Sequence, residues 1–464
     1  MSPLVALPVD LLLLAGLSGF GFLLARAILP DRPWVDCLAL SFPLGAGMLT
    51  WLVFIASLAG LSVSLPTVLG IWLVATLSVG AFLMLRKTSI RGASITSASR
   101  EAPLTGLSIA GLAGSLILFG LSLFLTVGRA QAGWDAMAIW SVKGYGIALE
   151  GSILAGRHWG ELGLSYPLNI PLLISFFALL DGDVLPGSKL VFSLFYGSLL
   201  FGCYLFWRGQ GVTRLVSSLG LLILASVPII YDHATLGYAN LPEACYLVLG
   251  CLYATSGILN GSRESQLMGG LLLGLGVWTR LEGVLLVLTT VIALAVTVRL
   301  IGKATLWLAG WLLPMVVLSG IWLAFAREYA SSSLFIGLVG RAGGKLLEGA
   351  FNLSAIREIA AYTAKQAVDP YVWGLMTPIV FALVWIGRKR LTPKTGPVAL
   401  SLLVVGLSTG AAVLVFYYLA SFGGPPLDWW LSTGLDRTAL PSVLLLAVAA
   451  VLAAGAAQAG EMDA

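Results

Sequence analysis

The stretch that decides the fold is TGLSIAGLAGSLILFGLSLFLTV (residues 105–127), an apolar run without a charged residue. A transmembrane helix needs about 20 consecutive apolar residues to cross roughly 30 Å of hydrocarbon, so this run is long enough to span a bilayer. Similar runs recur along the 464-residue chain, in which 59% of residues are hydrophobic and only 10% are charged. Average soluble domains carry about 25% charged residues, so the composition indicates an all-α, polytopic transmembrane protein.

Apolar runs between charged or Gly/Pro-rich breaks predict about thirteen membrane spans. They cover residues 5–28, 37–61, 66–86, 105–127, 184–207, 214–231, 241–259, 266–280, 283–299, 304–326, 371–387, 397–420 and 439–456. Arg280 and Glu282 interrupt the pair 266–299, which leaves one long helix with a charged kink as the alternative for that segment.

The distribution of Lys and Arg predicts the orientation. With the N-terminus outside, the short basic segments, such as 86–100 and 388–394, all face the cytoplasm. The external segments are then 128–183, 232–240, 327–370 and 421–438. This asymmetry explains the net charge of +5 without a nucleic acid partner. We therefore expect a multi-pass protein of the cell inner (plasma) membrane, in contact with membrane lipids and with its active surface on the external or periplasmic face.

The chain divides into two predicted regions. Residues 1–104 comprise three transmembrane helices and a Ser/Thr-rich cytoplasmic linker, and residues 105–464 contain the remaining spans with all the long external segments. The Gly/Pro-interrupted helix pairs of an inverted-repeat transporter do not occur at matching positions in the two halves of the chain.

The segment GWDAMAIWSVK (133–143) directly follows the run that decides the fold. Asp135 stands there between Trp134 and Trp140, and a carboxylate fixed at a membrane surface is costly unless it has a function or a cation to pair with. Residues 138–149 predict an amphipathic interfacial helix, with Ile139, Val142, Gly146 and Leu149 on its apolar face and Lys143 about two turns from Asp135. For the tryptophans alone, an aromatic belt at the interface is the alternative.

Four other polar segments contain candidate residues. Ser432 or Thr433 can cap the helix that carries Asp436 and Arg437 and so hold Arg437 at the membrane surface. Each segment also has a structural alternative: loop packing for Tyr166, a turn in which Asn240 caps the next helix, a structural Arg280–Glu282 ion pair, or a snorkelling Arg437 paired with Asp436. The segments and their candidates are 164–173 with Tyr166; 231–243 with His233, Tyr238 and Asn240; 278–283 with Arg280 and Glu282; and 427–441 with Asp436 and Arg437.

Five motifs in order resemble those of bacterial GT-C glycosyltransferases, a group that includes protein O-mannosyltransferases and the aminoarabinose transferases of lipid A. The resemblance runs from about Thr105 to Pro441. The motifs are Trp-Asp (134–135), Tyr-Pro-Leu (166–168), Gly-Tyr-Ala-Asn-Leu-Pro (237–242), Thr-Arg-Leu-Glu-Gly (279–283) and Leu-Ser-Thr-Gly-Leu-Asp-Arg (431–437).

This resemblance implies a GT-C-like fold and an inverting transfer of a sugar from a polyprenyl-phosphate carrier to a lipid, glycan or protein acceptor. It implies that Asp135 is the base or a metal ligand and that Lys143, Arg280 and Arg437 bind the donor phosphate. The implied substrate pocket contains Trp134, Trp140, Tyr166, His233, Tyr238, Asn240, Glu282 and Asp436.

The cofactor stays open at this point, with a divalent cation such as Mg²⁺ or Mn²⁺ as the candidate. Two positions depart from the family pattern: Ala136 follows Asp135 where the family has an acidic pair, and Asn240 stands where related proteins often have Asp.

Two other functions are the alternatives, a membrane transporter and a non-catalytic scaffold or glycan-assembly protein. A transporter needs ionisable residues in mid-span, and only Asp10 and Lys189, near helix ends, come close to this. A scaffold would leave Asp135, Lys143 and Arg437 without a purpose.

Overall fold

The computed structural model describes residues 3–87, 105–129, 133–155, 164, 166–182, 187–302, 308–329, 343–345, 348–349, 351–387, 391–392, 395–423 and 425–455. All regular elements in these residues are helical. They are α1 (Pro3–Ile28), α2 (Trp34–Leu58), α3 (Leu65–Leu85), α4 (Gly106–Gly128), a π-helical segment (Ala136–Ser141), α5 (Val142–Glu150), α6 (Asn169–Asp181), α7 (Gly187–Gly209), α8 (Arg214–Ala225), α9 (Pro228–Leu236), α10 (Asn240–Asn260), α11 (Arg263–Val277), α12 (Glu282–Leu300), α13 (Leu308–Tyr329), α14 (Leu353–Ala367), α15 (Pro370–Trp373), α16 (Met376–Gly387), α17 (Thr395–Ala420) and α18 (Leu427–Gly455).

Within the described residues, ten helices are long and apolar enough to cross a membrane, and the number rises to eleven if the bent pair α8 and α9 is one span. The ten are α1, α2, α3, α4, α7, α10, α12, α13, α17 and α18. The predicted polytopic all-α architecture is therefore confirmed.

Three predicted spans account for the difference from thirteen. The run 214–231 bends by 58° where α9 begins at Pro228, a residue that cannot donate a backbone hydrogen bond. Helix α11 has 15 residues and is separated from α12 by the break 278–281, so the two do not form one kinked helix. The run 371–387 is divided at Gly374, which has a φ of +58° and leaves 12 residues for α16.

The centre of the bundle is α10, of which 94% of the best spanning window is buried. It packs against α7, α11, α12, α17 and α18. Small residues bring α10 close to α11: a Cβ on Gly250 would lie 2.9 Å from Leu273, and one on Gly257 would lie 2.6 Å from the backbone of Gln266. Close approach at small residues is how helices gain packing energy in lipid, where no hydrophobic force drives them together.

An aromatic cluster ties the N-terminal helices to this centre. Trp278, just after α11, packs edge-on against Trp51 of α2 at 5.0 Å between ring centroids and contacts Phe54 at 4.7 Å and Trp322 of α13 at 5.5 Å. Helix α2 also packs against α6 and α7. The boundary at residue 104 stays a prediction, and most of the predicted linker, residues 88–104, lies outside the described residues.

Two predicted external segments are partly helical, which corrects their boundaries. Helix α9 continues through Leu236, so only residues 237–239 of the segment 232–240 form a turn before α10. Helix α18 begins at Leu427, which places Arg437 almost three turns inside a helix and not shortly after a helix start at Ser432 or Thr433. Of the segment 327–370, residues 330–342 lie outside the described part of the chain.

The predicted amphipathic face after Asp135 is also wrong. Ile139 and Gly146 are buried as expected, but Val142 and Leu149 are exposed. The cause is the π-helical segment Ala136–Ser141, because a π turn has more residues than an α turn and shifts the faces of the helix that follows.

Candidate functional site

The predicted site residues come together at one end of the bundle, which we call the site end. It is the end at which α4 finishes and α7, α10, α12 and α18 begin. Two contacts show that these helix ends are neighbours: Lys189 in α7 donates to the backbone carbonyl of Arg129 after α4, and Asn240 in α10 donates to the carbonyl of Arg437 in α18 at 3.4 Å.

Asp135 and Arg437, 302 residues apart in the chain, form an ion pair. Arg437 Nη1 donates to Asp135 Oδ2 at 2.6 Å, and the two side chains are 21% and 12% exposed. Gly133 lets the segment that carries Asp135 approach the turn after α9, because a Cβ there would lie 2.8 Å from the Tyr238 ring. A charge-assisted hydrogen bond between partly buried groups holds the carboxylate in one orientation.

Tyr238 connects this ion pair to His233. It follows Gly237, whose φ of +82° ends α9 in a conformation that glycine adopts without strain. The Tyr238 ring stacks on the His233 ring at 5.1 Å, and the Arg437 guanidinium lies 5.6 Å from the Tyr238 centroid. Burial, helped by the nearby Asp135 carboxylate, raises the pKa of the Tyr238 phenol above its usual value.

Arg280 is the second charged centre and is almost fully buried. Its Nη2 donates to Glu282 at 2.7 Å, its Nε lies 3.6 Å from Glu243, and its Nη1 donates to the Asn240 side-chain oxygen at 3.0 Å. A neighbouring network holds this segment in place: Thr279 accepts a hydrogen bond from Asn169 at 2.8 Å, and Asn169 in turn accepts one from Thr50 at 2.7 Å. Two carboxylates and an amide thus occupy one guanidinium.

Lys143 forms the third part of the site, with Trp140 and Tyr166. Trp140 packs edge-on against Tyr166 at 5.5 Å, Arg280 lies 5.8 Å from the Trp140 ring, and Lys143 Nζ lies 5.3 Å from the Tyr166 ring. Lys143 is 4% exposed, and its Nζ has no hydrogen-bond partner among the described residues. Burial lowers the pKa of Lys143 to about 7 and, together with the charge of Glu282, raises the pKa of Tyr166 to about 12.

The structure thus brings the predicted site residues into one contact network, with one exception. The side chain of Trp134 is 62% exposed. Asp436 accepts a hydrogen bond from the backbone N–H of Arg437 at 2.7 Å.

Among the structural predictions for single residues, the Arg280–Glu282 ion pair is confirmed and three others are wrong. Asn240 does not cap α10, because its side chain bonds Arg280 and Arg437. Ser432 and Thr433 do not cap a helix either, since both donate to the carbonyl of Trp429 within α18. The side chain of Arg437 binds Asp135, while Asp436 interacts with the Arg437 backbone.

Sequence reasoning missed Glu243 as a site residue. It is 1% exposed in the first turn of α10, and its Oε1 has no partner among the described residues. The available signal was a carboxylate one residue after Pro242, at the start of an apolar helix. A charge at the end of a span is rarely buried without a cation, so this position indicated a partner such as Arg280.

A cavity of about 250 Å³ opens beside the ion pair, between α9, α15 and α18. Its lining includes Asp232, His233, Tyr238, Tyr371, Asp436 and Arg437. Asp232 and Tyr371 were not among the predicted pocket residues.

The described residues do not suit a divalent cation. No three His, Cys, Asp or Glu side chains among them are grouped closely enough to hold a metal ion. Asp135 is bound to one guanidinium, and Glu243 and Glu282 share another. We therefore derive no step through Mg²⁺ or Mn²⁺.

In comparisons with protein-family models, curated proteins and solved structures, no match to this chain was found.

Proposed function

We propose that this chain is a membrane glycosyltransferase that moves a sugar from a polyprenyl-phosphate carrier to an acceptor on the external face, with inversion at the anomeric carbon. The observation that carries the proposal is the meeting of Asp135 with Arg437, 302 residues away, beside a buried lysine that has no anionic partner among the described residues. Clusters of titratable groups whose pKa values are shifted are typical of functional sites.

Asp135 is the proposed general base. As the acceptor hydroxyl attacks the anomeric carbon, its proton passes to the Asp135 carboxylate, the new C–O bond forms, and the bond from that carbon to the phosphate oxygen breaks. The leaving polyprenyl phosphate takes the electron pair. Arg437 positions the carboxylate through the 2.6 Å hydrogen bond.

Lys143 is the best candidate to hold the leaving phosphate. Arg280 and Arg437 already bind carboxylates, whereas the Lys143 ammonium has no such partner in the described structure. A phosphate beside it would stabilise the protonated form of Lys143, and the ammonium would stabilise the charge that develops on the leaving group. Arg437, already paired with Asp135, is the second candidate, and Arg280 becomes a positioning residue for Asn240 and hence for Arg437.

Transport and scaffolding have less support. Asp135, Glu243, Arg280 and Glu282 lie at or next to helix ends, whereas a transporter places its ionisable residues near the middle of the bilayer. A scaffold gains no stability from a buried, unpaired lysine, because the desolvation of a charge without a partner is unfavourable.

Replacing Asp135 by Asn tests the proposal, because the amide oxygen still accepts the Arg437 hydrogen bond while the base is lost. We expect transfer from polyprenyl-phosphate-linked hexoses or pentoses, measured in membranes, to fall about 10²–10⁴-fold. The control is Asp428→Asn, an exposed carboxylate in the first turn of the same helix as Arg437. Transfer by Asp135→Asn within a few-fold of the Asp428→Asn rate would remove Asp135 as the base.

A further inference from the structure

The cavity beside the ion pair is lined by charged and hydroxyl-bearing side chains. Its charged lining consists of Asp232 from α9 and Asp436 and Arg437 from α18. Two nearby charges also act on the cavity: Asp135 pairs with Arg437, and Arg129 lies close enough to Asp232 to interact with its charge. Three carboxylates against two guanidinium groups leave the walls with a net negative charge. Like charges repel strongly where solvent is partly excluded, and an anion such as a phosphate is therefore disfavoured inside.

The uncharged part of the lining is suited to hydroxyl groups. The Ser432 and Thr433 hydroxyls donate to the Trp429 carbonyl at 3.2 and 2.7 Å, which leaves their oxygen lone pairs to accept hydrogen bonds. His233 is 6% exposed, lines the cavity, and its Nδ1 has no partner among the described residues. A buried polar nitrogen without a partner is uncommon and indicates a water or a ligand group.

We infer that this cavity binds a neutral, hydroxyl-rich ligand, which in the proposed reaction is the sugar end of a glycan acceptor. Carboxylates accept hydrogen bonds from several hydroxyls at once, and Tyr238 adds an aromatic surface next to them. The volume of about 250 Å³ is below the roughly 300–1,000 Å³ of pockets for drug-sized ligands, which favours a single sugar unit. That this ligand is the acceptor rests on the proposed function. That the cavity binds a hydroxyl-rich ligand does not.

Protection of an introduced thiol measures binding directly. The four native cysteines are buried, so Ser432→Cys supplies an exposed reactive thiol at the cavity. The matched control is Ser62→Cys, an exposed serine that lines a separate cavity of about 320 Å³ at the same end of the bundle. The probes are the methyl glycosides of glucose, galactose, mannose and xylose, and, as an anionic probe, polyprenyl phosphate without a sugar.

We expect at least one methyl glycoside to slow thiol labelling of Ser432→Cys by about tenfold at ten times its Kd, with no effect on Ser62→Cys. Polyprenyl phosphate should protect neither position. Adding Asp436→Asn should raise the glycoside Kd by about tenfold or more, since it removes a charge-assisted acceptor, whereas adding Asp428→Asn should leave the Kd unchanged.

Two outcomes overturn the inference: no methyl glycoside protects Ser432→Cys, or polyprenyl phosphate protects it. Failure of the proposed function is a different result, because glycoside protection without any glycosyl transfer keeps the binding site and removes only the reaction. A protecting glycoside that is also extended in the transfer assay identifies the acceptor, and one that only competes with the polyprenyl-linked donor assigns the cavity to the donor sugar and contradicts the acceptor role.

Discussion

Replacing Lys143 by Met should stabilise the protein, and the gain should depend on pH. Lys143 is 4% exposed, and its ammonium has only the Tyr166 ring, 5.3 Å away, as a favourable contact in the described structure. Burial lowers the pKa of Lys143 from 10.5 to about 7. Met fills nearly the same volume and carries no charge, so the desolvation cost disappears while most of the packing remains.

Proton linkage gives the sign and the size of this pH-dependent stabilisation. Between about pH 7 and 10.5 the unfolded chain binds a proton that folded Lys143 does not, so the wild-type free energy of unfolding rises by about 1.4 kcal/mol per pH unit in that window. Below pH 7 the full cost remains, on the order of 5 kcal/mol before the cation–π contact returns about 0.5–2 kcal/mol. We expect Lys143→Met to stabilise by about 2–4 kcal/mol at pH 6.5 and by about 3 kcal/mol less at pH 9.

Thermal unfolding in detergent micelles at pH 6.5 and pH 9 measures this difference. The matched control is Lys189→Met, since Lys189 is also 4% exposed but donates to the Arg129 carbonyl. That substitution should lower the unfolding temperature, because it removes the hydrogen bond between Lys189 and the Arg129 carbonyl. If Lys143→Met is also destabilising at both pH values, the Lys143 ammonium has a stabilising partner in the folded protein and our reasoning about it is wrong.

Three further predictions concern the ion pairs and the orientation. Arg437→Ala should lower kcat for transfer about 100-fold by releasing Asp135, and Arg437→Lys should recover part of it, whereas a rise in the KM for donor alone would indicate a phosphate contact. Arg280→Met should cost about 3–5 kcal/mol in unfolding measurements, because the buried Glu243 carboxylate and the partly buried Glu282 carboxylate lose their cation. A membrane-impermeant thiol reagent should label Ser62→Cys from outside and Leu391→Cys only after permeabilisation, and the reverse pattern would place the site in the cytoplasm.

The sequence was sufficient for the spans whose apolar runs are uninterrupted. It failed at three positions where a local backbone feature ends a helix inside an apolar run: Pro228, the break after Val277 and Gly374. Hydropathy averages over a window and does not detect such breaks. The start of α18 was missed for the opposite reason, because residues 427–438 are polar enough to resemble a loop although they continue the last helix.

The site residues were predictable as a set, but their pairing was not. A charged residue at the end of a membrane span is a functional candidate whatever surrounds it, which is why Asp135, Arg280 and Arg437 were identifiable. The choice of partner depends on tertiary contacts across 302 residues for Asp135 and Arg437. The side of the helix on which Lys143 lies was not predictable either, since no sequence pattern indicates the π-helical segment that precedes it.

Four buried polar atoms of this cluster lack a hydrogen-bond partner among the described residues, and other such atoms occur elsewhere in the bundle. The four atoms of this cluster are Lys143 Nζ, Trp140 Nε1, His233 Nδ1 and Glu243 Oε1. Each such atom costs about 1–3 kcal/mol, so the network is less stable than an apolar packing of the same volume would be. A ligand that supplies anionic, donor and hydroxyl groups removes these costs on binding. Relief of this desolvation cost would add to the free energy of ligand binding. That is physically consistent with a site that recognises a sugar and a phosphate together.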